Sequence, residues 1–129
     1  MISENKISKY IALLISETKE NKVKWDISSP KTVDSLEGEQ NIIGKIYITE
    51  FKEKFIRLYK YSEPTQVDDF EYIIKSFFKL EFTDEFDRNV WTFPFYLREL
   101  ADLHETVIIK LNELDKYFND LIPDDTFDF

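Results

Sequence analysis

The chain has 129 residues, enough for one domain with a sizeable core and too few for two. Apolar residues make up 43% and charged residues 33%, the balance of a soluble globular protein, and with no cysteine neither a disulfide framework nor a thiolate metal site can form. The net charge of −9 is uneven, with +2 over residues 1–62 and −11 over residues 63–129, which disfavours nonspecific binding to duplex nucleic acid or an anionic membrane and favours a basic partner.

The opening residues Met1 to Lys6 do not form a signal n-region, and the longest apolar stretch, Tyr10 to Ile15, falls far short of a membrane span. A cytoplasmic protein is the expectation, and the lack of cysteine agrees with a reducing compartment.

Residues 3–20 read as a helix. Ser3 is placed to cap it, and Ile7, Ile11, Leu14 and Ile15 form one apolar stripe. Asn21 suits a left-handed residue after the helix end. Val23, Trp25 and Ile27 alternate as a short first strand. Residues 28–40, rich in Ser, Pro, Asp and Gly38, read as a mobile loop. Ile42 to Phe51 alternates again, with β-branched residues dominant, and Phe55 to Tyr61 follows after the charged corner Lys52-Glu53-Lys54. Ser62 to Asp69, with Pro64, reads as a second loop. Phe70 to Phe82 is the clearest strand: Phe70, Tyr72, Ile74, Phe78, Leu80 and Phe82 share one parity. Residues 84–89 turn the chain and Val90 to Phe93 completes a meander. Pro94 opens a long helix to about Leu121, where Pro123 stops it. Its seam, Leu97, Leu100, His104, Val107, Leu111, Leu114, Phe118 and Leu121, alternates spacings of three and four.

These elements predict an α+β fold: an antiparallel β-meander of four to five strands, with an N-terminal and a long C-terminal helix on one face. No helix between residues 23 and 93 is long enough for a parallel crossover. Residues 1–122 form a single domain in this reading, and residues 123–129 an acidic, aromatic tail. The segment "ETKENKVKWDI" sets Thr18 near the helix end before a Lys-rich turn (Lys22, Lys24) and Trp25 on the first strand. In that pattern and in its layout the chain resembles a loose group of small uncharacterised bacterial and phage proteins. The resemblance implies the architecture and carries no activity.

Motifs for catalysis are missing. With two glycines, Gly38 and Gly44, no nucleophile elbow or phosphate-binding loop can be written. His104, the single histidine, has Leu100, Ala101, Val107 and Ile108 at the spacings where a second metal ligand would stand on a helix. It reads as a packed residue. Glu99, Asp102 and Glu105 form an acidic ridge that reads as a solvated helix face. Residues 84–89, "DEFDRN", lack the glycine and closing glutamate of a calcium loop. No cofactor, no metal and no enzymatic activity are expected.

What remains is a face. If the Phe70–Phe82 parity marks the helix-covered side, Tyr47, Arg57, Tyr59, Lys75, Phe77 and Lys79 share the open side. Rings beside cations suit a protein interface, a platform for stacked single-stranded bases, or cross-strand pairs that serve the sheet alone. The missing RRM signature and the acidity count against nucleic acid. Phe127 and Phe129 in the tail are further candidate contacts. The chain therefore reads as a non-enzymatic protein-binding module, an inhibitor, antitoxin or immunity-type protein with a basic partner and a capacity to homodimerise. The alternative is a ligand- or single-stranded nucleic-acid-binding module.

Overall fold

The first helix begins where its cap demands. Ser3 accepts a hydrogen bond from the Lys6 N–H (3.2 Å), and α1 runs over Glu4–Lys19. Asn21, at φ 63°, turns the chain out of it, while the N–H groups of Lys22 and Val23 both reach the Glu17 carbonyl (2.9 and 3.2 Å). The computed structural model describes residues 2–28 and 33–122. After α1 come β1 (Asp26–Ser28), β2 (Asn41–Phe51), β3 (Lys54–Gln66), β4 (Tyr72–Thr83), β5 (Asn89–Thr92) and α2 (Glu99–Leu121). The strands form one sheet in sequence order, every neighbour antiparallel.

Both helices cover the same face, as their single apolar stripes require. Ile7, Ile11 and Leu14 of α1 and Leu100, Leu103 and Val107 of α2 pack on Tyr47, Phe51, Ile56, Leu58 and Leu80 of the sheet. Each fully buried aliphatic side chain contributes roughly 1.5–3 kcal/mol. Thr18 closes the end of α1: its hydroxyl donates to the Leu14 carbonyl (2.7 Å) and accepts from the Trp25 indole (3.0 Å). Those two bonds give the Thr18 and Trp25 of the sequence pattern a structural purpose.

Two boundaries and one register differ from expectation. β3 continues through Pro64 to Gln66, where a loop was expected. Beyond Ser62 no strand pairs with the β2 side of β3 among the described residues, and a strand edge tolerates proline. α2 begins at Glu99, not Pro94. The Phe93 N–H still bonds the Leu80 carbonyl (2.9 Å) and Phe95 packs on Phe77 (5.7 Å between centroids), so residues 94–98 must carry the chain from the sheet edge to its face.

The third difference concerns register. The β2–β3 corner has two residues, with Phe51 opposite Lys54. Lys52 and Glu53 stand at φ 52° and 64°, the sign a type I′ turn needs. Every residue of β2 is thereby shifted by one relative to a three-residue corner, which exchanges its faces. Thr49 meets Ile56 and Tyr47 meets Leu58, so Tyr47 lies under the helices. Ile46 and Ile48 lie on the opposite face with Tyr59. Between Ile43 and Tyr47 the register shifts again, at Gly44, whose φ of 74° glycine accommodates readily.

Left-handed backbone at two non-glycine residues costs about 1–2 kcal/mol each. Replacing Lys52→Asn together with Glu53→Gly should therefore raise unfolding stability on the order of 1–2 kcal/mol without changing the denaturant slope. A fall in stability on urea titration would show that the corner is held by its side chains instead.

Candidate functional site

The face opposite the helices is largely covered. Residues 33–40 fold across it, and Val33 and Leu36 pack with Ile46, Tyr59 and Tyr61. Arg57 and Glu81, opposite each other on β3 and β4, are buried beneath this segment. The Arg57 guanidinium donates twice to Glu81 (3.2 Å each), to Asp34 Oδ1 (2.8 Å) and to the Asp87 carbonyl (2.8 Å). Asp34 Oδ2 accepts the Asn89 N–H (2.7 Å), and the Asn89 amide donates to Glu81 Oε2 and to Thr92 Oγ1. Tyr59 shares a hydrogen bond with Ser35 Oγ (2.8 Å), and Lys79 Nζ reaches the Ser35 carbonyl (3.1 Å).

This geometry sets the electrostatics. Burial alone would lower the Arg57 pKa, but the hydrogen bonds to Glu81 and Asp34 raise it, so the guanidinium stays charged. Partial burial would raise the Asp34 carboxyl, yet the Asn89 N–H and Arg57 together hold it below the ordinary carboxylate value. Burial pushes the Tyr59 phenol strongly upward, so it remains a neutral hydrogen-bonding group. A paired, charged and screened cluster of this kind fastens the 33–40 segment to the sheet. Its guanidinium and carboxylates are consumed by one another, which leaves no free base or nucleophile among them.

The expected open face is thus corrected residue by residue. Tyr47 lies on the helix side and stacks edge-on against His104 (5.6 Å). Arg57 and Tyr59 lie beneath the 33–40 segment. Phe77 and Lys79 are half-buried, Phe77 on Tyr61 (5.7 Å) and the Lys79 ammonium over the Tyr61 ring (4.8 Å). Lys75 alone of the six is exposed, opposite Glu63. Phe127 and Phe129 lie outside the described residues.

The exposed apolar surface lies elsewhere. β3 and β4 run on past the cover of the helices, and their far end holds Tyr72 and Ile74 on one face and Ile73 on the other. Ile74 is 68% exposed, and Phe70 at the tip is 93% exposed. Asp68 Oδ1 accepts the N–H groups of Phe70 and Glu71 (2.8 Å each), which folds the tip into a tight turn and presents that ring outward. Among the described residues no strand pairs with the outer edge of β4 before Glu81. The Phe93 N–H bonds the Leu80 carbonyl on that edge, so Tyr72, Ile74 and Ser76, of the same parity, turn their backbone groups to it. Asp68, Asp69 and Glu71 make the tip acidic. Sequence reasoning placed Tyr72 and Ile74 under the helices, because their parity matches Phe78 and Leu80. Parity identifies a face but not how far along it the helices reach.

His104 sits between Tyr47 and Phe78 (4.8 Å) and is half-buried. Among the described residues no group of three or more His, Asp or Glu is arranged to hold a metal ion. The 84–89 turn spends Asp84 on its own chain, accepting from the Phe86 and Arg88 N–H groups (2.9 Å each).

Two measurements test these contacts. Glu81→Leu leaves the buried Arg57 guanidinium with only Asp34 and the Asp87 carbonyl and should cost about 3 kcal/mol, whereas Arg57→Met combined with Glu81→Leu should cost much less than the two single changes added. Additive losses in a double-mutant cycle would contradict the pairing. For His104, burial, aided by Lys60, lowers the imidazole below its ordinary 6.5. The unfolded chain then binds this proton more readily than the folded one, so stability is full above the unfolded value and falls as pH drops through it. His104→Gln should flatten the loss of thermal stability just below about pH 6.5. An unchanged pH slope would place His104 in water.

No family model, curated protein or solved structure matches the chain.

Proposed function

We propose that the chain is a non-enzymatic module that binds a basic protein, through the far end of the β3–β4 hairpin. The observation that carries this reading is one surface: exposed Phe70, Tyr72 and Ile74 beside a strand edge that pairs with no strand among the described residues, and three carboxylates. Exposed apolar patches on a soluble domain mark interaction sites, and a free edge invites an added strand. Main-chain hydrogen bonds would supply affinity, while alternate side chains would set specificity. The acidic tip favours a segment carrying Lys or Arg beside apolar residues. Acidity and the self-consumed charge cluster support the narrower role of an inhibitor, antitoxin or immunity-type protein, and the resemblance carried by Thr18, Lys22, Lys24 and Trp25 supports a bacterial or phage origin.

The test is to replace Tyr72→Ser and Ile74→Ser together. Both side chains are exposed, so thermal stability should stay within about 0.5 kcal/mol of the parent. Capture of a basic protein by the immobilised chain should be lost in the variant. Equal capture by parent and variant would refute the hairpin as the contact. Tight oligonucleotide binding with a steep salt dependence would instead support single-stranded nucleic acid as the ligand.

A further inference from the structure

We infer that two copies of the chain associate through the last turns of α2, which run antiparallel and fill each other's groove. α1 and α2 lie side by side and run the same way. Glu4 at the start of α1 bonds Tyr96 just before α2, and the end of α1, at Thr18 and Asn21, lines a groove with Leu111 and Leu114. The core ends there. Leu100, Leu103 and Val107 are buried and Leu111 is half-buried, but the same stripe continues for two more turns with Leu114, Phe118 and Leu121 exposed. Tyr117, 71% exposed, and Ile122 flank that stripe, and Leu121 is 70% exposed. A helix end this apolar, on the stripe that elsewhere makes the core, requires a cover.

The occupant follows from direction. The stripe faces the side on which the chain's own sheet lies. A parallel second helix laid against it would drive its own first turns into that sheet. An antiparallel one runs clear, because its body then lies beyond the free end of the first helix. Only the two protruding ends overlap. Spacings of three and four set the layers, with Leu114 of one copy against Phe118 of the other and Leu121 against Leu111. Leu121 then enters the groove lined by Trp25, Leu111 and Leu114. Lys24, Asp26 and Lys110 also line that groove, Lys110 in an ion pair with Glu113 (3.3 Å), and the incoming end carries Asp120. The same chain thus holds both the apolar end and the groove that receives it, as a two-fold interface requires.

The hairpin takes no part in this contact. Sedimentation of the full chain from micromolar to near-millimolar concentration should show a monomer–dimer equilibrium. Leu114→Glu with Leu121→Glu should raise its dissociation constant at least ~10-fold while leaving the melting temperature of the monomer unchanged. Tyr72→Ser with Ile74→Ser should leave the equilibrium untouched. Because the chain has no cysteine, Leu114→Cys and Phe118→Cys chains can be mixed. The mixture should form a heterodisulfide in preference to either homodisulfide. A monomer throughout the range would overturn the proposal, and so would a dimer indifferent to the double glutamate variant. Preferential Leu114→Cys homodisulfides would indicate parallel pairing and overturn it equally.

Discussion

The register set at the two-residue corner between β2 and β3 decides which side chains each face of the sheet can bury. Phe51 meets Lys54, and the alternation of the strands carries that pairing outward to Tyr47 and Leu58. One further residue in the corner would exchange the faces of β2, burying Ile46 and Ile48 under the helices and leaving Tyr47 outside. The rings of Tyr47, Phe78 and His104 could not then meet. Backbone strain at Lys52 and Glu53 is tolerated because the whole helix-side core depends on that pairing.

The second face is organised by charge rather than by rings alone. Arg57 has three acceptor partners because β3 and β4 place Glu81 opposite it, the 33–40 segment brings Asp34, and the β4–β5 turn brings the Asp87 carbonyl. Desolvating these ions is costly, and the Glu81 and Asp34 hydrogen bonds offset that cost. The cluster ties together three parts of the chain that are distant in sequence. Its chief effect is positional: it closes the middle of the sheet and leaves the far end of the β3–β4 hairpin as the exposed region of that pair of strands.

Two clusters of exposed apolar side chains therefore stand at extremities, the hairpin end and the last turns of α2. Each arises in the same way, from an element longer than the surface it packs against. α1 has 16 residues and α2 has 23; the shorter helix ends at Lys19, where Thr18 lines a groove with Leu111 and Leu114, and the last turns of α2 run on with Phe118 and Leu121 exposed. The hairpin similarly outruns the helices that cover Phe78, Leu80 and Phe82. Neither extremity supports the core, so both can change partners without unfolding the domain. No helix among the described residues is long and apolar enough to cross a membrane.

Local signals were legible in the sequence: the Ser3 cap, the left-handed Asn21, the stripes of both helices, the meander and its antiparallel sense. Each rests on periodicity or on the conformational preference of one residue, and such preferences act within a few positions. The packed character of His104 was legible too, because its helical neighbours are apolar. The Arg57 cluster was not. Arg57, Asp34, Glu81 and Asn89 are separated by more than twenty residues in most pairings, and nothing in their spacing announces that a loop will fold across a sheet. The exposed face was misassigned for a related reason. Alternation fixes two sets of side chains on each strand, but only the length of a corner and the reach of a helix decide which set, and how much of it, is buried.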